Sequence, residues 1–222
     1  MLNIDVTVKF PGFPSINFLG NPLVYSCEEF YKKVFQKHGE RLEKRLNQLH
    51  DELLKNPEID LREHSFRIVE EVWRWSEKAR AKKPLIIIYF SSAFSPRVYM
   101  KGERSEEQRL IEALAEAVNR VKKITGDKIQ VKKFYPYISD MSFFAISDDT
   151  EEVENLKLNM PGWGKKYTLD TEKIRELNIP LVNVSPHGKD AHKATERVYK
   201  KYSFGSVPMI ILETIKGLLD FK

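Results

Sequence analysis

The chain has 222 residues, of which 41% are hydrophobic, and a net charge of +5, so it can bury a core and is not a disordered tract. Cys27 is its only cysteine, which excludes a disulfide within the chain and favours a reducing compartment. No apolar run approaches the about 18 residues of a membrane-spanning helix, and the N-terminus lacks a secretory signal pattern. We therefore expect a cytoplasmic protein without membrane contacts.

Much of the positive charge comes from six Lys-Lys pairs that are spread along the chain. A nucleic-acid-binding surface is one interpretation of this excess. The other is that the pairs lie at solvated ends of helices and strands, and their even spread favours it. We therefore expect no nucleic-acid partner.

The first hundred residues predict a small α+β region. The segment Ile4–Phe10 alternates apolar and polar side chains, which is typical of a half-buried strand. Ser26 and Glu29 have the spacing of a capping box. The long amphipathic stripe that follows predicts helix with a bend near Gly39, and Asp60 is the expected start of the next helix.

The middle of the chain predicts a strand, a helix and a second strand. Leu85–Phe90 is a continuous apolar run rich in β-branched residues, which predicts a strand buried on both faces. Ser105, with Gln108 three residues later, predicts another capping box and a helix behind it. Lys128–Phe134 is expected to form a short strand.

The remainder continues this alternation. Asp170 predicts the cap of a short helix, Leu181–Val184 a buried strand, and residues 191–202 a helix. The last helix is expected to begin after Ser206. Alternating helices and strands predict an α/β fold with layered elements, and the polar stretch Lys101–Glu103 is a plausible boundary between two regions.

Two polar loops follow short apolar strands, where sites in α/β sheets are usually built. They are Tyr135–Ser142 and Ser185–His192. An imidazole at a strand-to-helix junction suits a divalent metal, so His192 is the best single ligand candidate, with Asp190 or Glu196 close enough to support it. The alternative is a structural histidine bonded to a carbonyl, and a lone histidine in sequence favours this alternative.

The chain lacks the patterns that would define a complete catalytic site. It contains no H-x-D, H-E-x-x-H or C-x-x-C, and no P-loop, nucleophile elbow or dinucleotide fingerprint. Ser139, Asp140 and His192 could be combined as a Ser-His-Asp set, but no elbow motif supports that chemistry. The histidines on predicted helices lie among charged residues and are expected to be solvated: His38, His50 and His64.

Three ordered segments, Tyr135–Phe144, Asn159–Gly164 and Gly188–Tyr199, resemble the RocB-like arginine-utilisation branch of a zinc-dependent superfamily. That superfamily contains aminopeptidases, carboxypeptidases, aminoacylases and desuccinylases. The resemblance implies that residues 1–104 are part of an α+β lid domain. It implies that residues 105–222 are the C-terminal portion of an α/β zinc-peptidase-like catalytic domain.

The resemblance also implies a zinc site that activates water to hydrolyse an amide bond, with His192 at the position of the last metal ligand. His187 lies where relatives tend to carry an aromatic residue, so it receives no role. Asp140 belongs to a loop that in relatives shapes the substrate side. The candidates for substrate contact are Ser139, Asp140, Ser142, Lys189 and Asp190.

The sequence departs from the family pattern in one large respect. In relatives the H-x-D ligand pair, the bridging aspartate and the Glu-Glu pair precede the lid, and that segment is not in this sequence. One imidazole cannot hold zinc, which needs three or four protein ligands, and the water would lack its carboxylate base. The resemblance therefore implies a truncated or split member that is inactive alone, does not bind zinc stably and carries no assigned catalytic residue.

Two arrangements follow for the partners of such a chain. A companion chain could supply the N-terminal half, or the protein could be a non-catalytic oligomerisation or binding module derived from the family. In both cases an incomplete sheet exposes a strand edge and an apolar face. We therefore expect a homo-oligomer or a complex with a companion chain.

Overall fold

The computed structural model describes residues 22–77, 84–133 and 140–219, which combine helices with short strands and are compatible with the α/β class. The predicted strand Ile4–Phe10 lies outside these residues. The chain divides into two compact units. The first contains the described part of residues 1–94 together with 149–169, and the second contains 95–148 and 170–222 as far as they are described. The division of the chain at residue 104 into a lid region and a catalytic region stays a prediction.

The first unit places helices around one pair of parallel strands, in which Leu23 lies opposite Leu85. The buried side chains of three helices form its core, led by Phe30 and Leu42. Burying a large apolar side chain of this kind stabilises the fold by about 1.5–3 kcal/mol. The elements are β1 (Leu23–Ser26), α1 (Cys27–His38), α2 (Glu40–Leu54), α3 (Leu61–Trp75), β2 (Leu85–Ile88) and α5 (Thr150–Leu158).

The helix starts of the first unit confirm the sequence predictions. The Ser26 hydroxyl accepts the N–H of Glu29 at 3.2 Å, and the Glu29 carboxylate accepts the N–H of Ser26 at 2.9 Å, so the capping box is complete. Gly39 separates α1 from α2 with φ of 50°, a left-handed conformation that favours glycine. The Asp60 carboxylate accepts the N–H of Glu63 at 2.8 Å and begins α3.

Strand β2 is less buried than its composition predicted. Its first three residues are half-buried, and Ile88 is 61% exposed. Within the described residues β2 pairs with β1 alone, so only one edge and part of one face are covered. The prediction of a strand buried on both faces was therefore wrong.

The second unit is centred on two long helices that pack against each other. The apolar faces of α4 (Ser105–Thr125) and α7 (Val207–Leu218) meet around Leu114, Val121 and Ile210, and Val182 and Val184 pack against this cluster. The elements are α4 (Ser105–Thr125), a 3-10 turn (Asp140–Phe143), α6 (Thr171–Leu177), β3 (Gly188–Lys189), β4 (Arg197–Val198), a π-helical turn (Tyr202–Ser206) and α7 (Val207–Leu218).

Helices α6 and α7 confirm their predicted starts, because Asp170 accepts the N–H of Lys173 at 3.1 Å and α7 begins directly after Ser206. The predicted capping box of α4 was wrong. Arg104 is the N-cap residue and makes no side-chain cap, while the Gln108 amide donates to the Gly102 carbonyl at 2.9 Å.

Three predicted elements of the second unit are also wrong. The described part of Lys128–Phe134, residues 128–133, forms no strand, and neither does Leu181–Val184. A strand requires backbone pairing along its edge, and the strand pairs of the described residues, β1 with β2 and the Gly188–Lys189 strand with the Arg197–Val198 strand, include neither segment. Residues 191–202 form turns and β4 in place of a continuous helix.

Candidate functional site

The segment that carries His192 is a short β-hairpin. Strand β3 pairs antiparallel with β4, with Gly188 opposite Val198 and Lys189 opposite Arg197. An added Cβ at Gly188 would lie 2.2 Å from the carbonyl oxygen of Arg197, so only glycine lets the two backbones approach this closely. The hairpin thereby holds its connecting loop, residues 190–196, in a defined position.

The loop of this hairpin is fixed by polar contacts and by two left-handed residues. Asp190 has φ of 59° and His192 has φ of 63°, in the region that Asp and His tolerate better than most residues. The Arg197 guanidinium donates to the Asp190 carboxylate at 2.8 Å. The backbone N–H of His192 donates to the Glu196 carboxylate at 3.1 Å. These contacts fix the backbone of the loop at His192, and His192 itself is exposed to solvent.

The donor atoms around His192 do not form a self-contained zinc site. The Asp190 carboxylate is paired with Arg197, and the Glu196 carboxylate is bonded to backbone. Across residues 22–77, 84–133 and 140–219 no three His, Cys, Asp or Glu side chains are grouped closely enough to hold a metal ion. Zinc takes three or four protein ligands, so these residues by themselves do not fit the ion.

The candidates for substrate contact fall on two separate parts of the second unit. Lys189 is exposed and Asp190 half-buried on the hairpin, whereas Asp140 and Ser142 belong to the 3-10 turn. The Ser142 side chain is buried and donates to the Pro96 carbonyl at 2.6 Å, which is a structural contact. Ser139 lies outside the described residues. No hydrogen bond or ion pair in the described part of the chain joins the 3-10 turn to the hairpin.

A broad groove with a volume of about 1130 Å³ lies in the second unit, and residues of both the 3-10 turn and the hairpin line it. Met141 of the 3-10 turn and Lys189 of the hairpin both contribute to its walls. Its lining also includes residues 128–133 and 181–184, from the two segments that were predicted as strands, and residues 185–187 of the loop that follows the second one. Of the candidate residues that the structure describes, only Lys189 is among the residues that line the groove.

Sequence reasoning missed a pair of buried histidines in the first unit. His50 of α2 and His64 of α3 were expected to be solvated, but they are 8% and 0% exposed, so that prediction was wrong. Their positions in the apolar stripes of the two helices could have revealed this, since Leu46 and Leu53 flank His50 at helical spacing on the buried face. His38 is half-buried, and its ring lies edge-on to the Trp75 ring at 5.2 Å between centroids.

The buried pair is held neutral by its surroundings. His50 Nδ1 lies 3.2 Å from His64 Nε2. Burial, followed by the proximity of His64 and Lys165, lowers the pKa of His50 to about 4. Burial and then the nearby Lys166 ammonium lower the pKa of His64 from its ordinary value. The pair is two ligands at most, and the described residues supply no third.

Comparison with known proteins relates this chain to one group of curated sequences. No protein-family model matches the chain, and no solved structure matches it. Curated sequences do, and they suggest a RocB-like family.

The particular relatives come from Bacillus subtilis (strain 168). The chain is 32% identical to Protein RocB over 213 residues, which are 96% of this chain and 36% of that protein. It is 31% identical to the uncharacterized protein YqjN over 163 residues, which are 73% of this chain and 28% of that protein. The chain thus spans about a third of the length of the curated relatives it matches.

Among the helices that the structure describes, none combines the length and the apolar composition needed to cross a lipid bilayer.

Proposed function

We propose that this chain provides one part of a RocB-related, zinc-dependent amide hydrolase and that a companion polypeptide provides the rest. The chain contributes His192 as one zinc ligand, and the companion contributes the remaining ligands and the carboxylate base. Alone, the chain does not hydrolyse amides and does not hold zinc stably. The zinc, when bound, would polarise the amide carbonyl and activate water.

One observation carries this proposal: the hairpin loop fixes the backbone of His192 without engaging a set of further ligands. The Glu196 carboxylate and the Asp190–Arg197 ion pair hold the loop in shape, and His192 itself is exposed. A ligand that must meet others from outside the chain needs this combination of a fixed backbone and an open side chain. Similarity to RocB at 32% identity over 96% of this chain supports the relation to that protein.

The residues near the groove take supporting roles in this proposal. Lys189 and Asp140 are exposed, and their charges can contact the polar ends of a substrate. Ser142 acts by holding the 3-10 turn against Pro96, so it is a positioning residue. The resemblance to an arginine-utilisation branch makes small amides of amino acids the first substrates to assay.

A chimera tests this proposal. The chain replaces the matched segment of Bacillus subtilis RocB, and zinc content is measured after dialysis in the chimera and in the isolated chain. We expect stoichiometric zinc in the chimera, its loss in His192→Ala and its retention in His187→Ala, which removes an exposed imidazole five residues away. We expect no stoichiometric zinc in the isolated chain. Zinc retained by the His192→Ala chimera would contradict the assignment of His192, and stoichiometric zinc in the isolated chain would contradict the divided site.

A second candidate function is a non-catalytic oligomerisation module, and one feature of α7 favours it. The face of α7 that points away from α4 is apolar and open to solvent: Leu212 is 53% exposed and Ile215 is 45% exposed. An exposed apolar stripe on a helix is a common dimer contact. Under this candidate, sedimentation shows a dimer at micromolar concentration that Ile215→Glu dissociates and Glu112→Gln, on the exposed side of α4, does not. A monomer at every concentration would exclude it.

A further inference from the structure

Two segments of the second unit, residues 129–131 and 181–184, have the composition and placement of strands but no backbone partner among the described residues. The side chains of Val182 and Val184, two residues apart, both pack against the core between α4 and α7. Side chains at i and i+2 share one face in an extended chain, so this segment is placed as a strand would be. Ile129 is buried in the same core from the other segment.

The backbone of these two segments is unsatisfied by the rest of the described chain. No backbone hydrogen bond within the described residues involves Ile129–Val131 or Leu181–Val184. A row of backbone groups without protein partners is a template for a further strand. The partner that fits such a row is an extended chain.

The groove described above brings the two segments together. Both line its walls, and its floor includes the apolar side chains Leu114 and Val118 of α4. A chain lying in this groove would bury apolar side chains on that floor and meet backbone groups from both segments. Alternate apolar residues are the pattern that such a position requires.

The charges around the groove indicate which extended chain fits. Only Asp127 and Glu196 carry negative charge among the lining residues. A second copy paired along the same edge would bring like charges together, which disfavours self-association there. An acidic chain is attracted instead. The basic residues of the lining are Lys101, Lys128, Lys132, Lys133, Lys189 and Arg197.

We propose that this groove is the docking site for one extended, acidic segment of another polypeptide, which adds to residues 129–131 and 181–184 as a strand. Its apolar side chains, at alternate positions, face α4, and its carboxylates face the basic rim. The proposal goes beyond the proposed hydrolase, because the groove takes this segment whether or not the partner also completes a metal site. Failure of zinc binding would leave it intact.

Labelled peptides test the proposal. The probe is a nine-residue peptide of alternating glutamate and valine. One matched control replaces glutamate by lysine, and the other keeps every side chain but carries N-methyl groups on the three central amides. Fluorescence anisotropy should show saturable binding of the first peptide and at least tenfold weaker binding of both controls. Amide hydrogen exchange at Ile129–Val131 and Leu181–Val184 should slow when the first peptide is bound.

Variants locate the binding. Lys128→Glu, in the lining, should weaken binding of the glutamate peptide several-fold, whereas Lys123→Glu, the same charge change on α4 outside the lining, should not. Equal binding of the N-methylated peptide would overturn the proposal, because it would show apolar adsorption without strand pairing. Slow exchange of these amides before peptide is added would also overturn it. If the protein is then a monomer, slow exchange would mean that another part of the same chain occupies the groove. If it is a dimer, slow exchange would mean that a second copy occupies it.

Discussion

The imidazoles of His50 and His64 meet inside the first unit, with Nδ1 of one ring 3.2 Å from Nε2 of the other. Among the residues that the structure describes, the second nitrogen of His64, Nδ1, has no hydrogen-bond partner, and the neighbouring Ser65 hydroxyl has none either. Two neutral imidazoles can share this arrangement because one donates and the other accepts. Two protonated ones cannot, because both nitrogens of an imidazolium are donors and the charges repel.

This relationship predicts a loss of stability on acidification. The pKa of His50 is lowered to about 4 in the folded chain and is near 6.5 when unfolded, so the unfolded state binds protons first as pH falls. The free energy of unfolding should therefore be level above about pH 6.5 and fall as pH decreases from there toward 4. The contribution of His50 is at most about 3 kcal/mol.

Urea unfolding at pH 7.5, 6.0 and 5.0 measures this effect. Carboxylates also titrate at the acid end, so the informative quantity is the difference between the wild-type chain and His50→Leu. The variant should have a shallower decline between pH 7.5 and 5.0. The matched control is His187→Leu on the exposed hairpin, which should leave the decline unchanged. Equal declines in all three proteins would rule out the histidine pair as the cause.

Gly188→Ala should loosen the hairpin that carries His192. Its new Cβ would lie 2.2 Å from the Arg197 carbonyl oxygen, a backbone atom that cannot move without separating β3 from β4. We expect faster proteolytic cleavage within residues 187–198 and little change in global stability, because the hairpin is exposed. Gly205→Ala is the matched control, since an added Cβ there meets no tertiary neighbour within 4 Å among the described residues. Equal cleavage rates in the two variants would contradict the tight backbone approach.

Asp148→Ala should destabilise the second unit. The Asp148 side chain is 8% exposed and accepts from the backbone N–H of Arg97 at 2.8 Å and from its guanidinium at 2.5 Å. Removing the carboxylate leaves a part-buried N–H without its acceptor, which costs about 2 kcal/mol. Asp190→Ala, which breaks the more exposed pair with Arg197, should cost less than about 1 kcal/mol. Chemical unfolding of both variants checks the order, and equal losses would argue against it.

Cys27 should react slowly in the native chain although it occupies the first position of α1. Helix N-termini usually lower the pKa of a thiol, but burial dominates here and raises the pKa of Cys27 to about 12. A disulfide reagent at pH 8 should therefore modify the folded chain on the order of a hundredfold more slowly than the urea-unfolded chain. Similar rates in the two states would show an accessible thiolate and a different environment.

Elements with local causes were predictable from sequence. The capping box of Ser26 and Glu29 and the cap at Asp60 depend on contacts between residues three apart, so their spacing was sufficient. The same rule failed at Ser105, where the Arg104 guanidinium donates to the Glu107 carboxylate and the helix begins one residue earlier than a serine cap requires. A competing local contact was enough to change the helix start.

Elements with distant causes were not predictable. The alternating and β-branched runs around Ile129 and Val182 read as strands, and their side chains do reach the core as strand residues would. They form no strands because pairing requires a neighbouring edge, which the described residues do not supply. For the candidate site, the sequence predicted His192 as a ligand, which stays a prediction, and it did not predict the β3–β4 pairing or the left-handed backbone of its loop.

The sequence by itself determined the helices of the first unit, their caps and the apolar stripes that face its core, because these depend on contacts within a few residues. Only the tertiary structure decided that His50 and His64 are buried against each other, since the two lie 14 residues apart on different helices. It also decided that residues 128–133 and 181–187 line one open groove in place of a closed sheet. Backbone pairing and burial are properties of surfaces that meet in space, and spacing along one chain does not specify which surfaces those are.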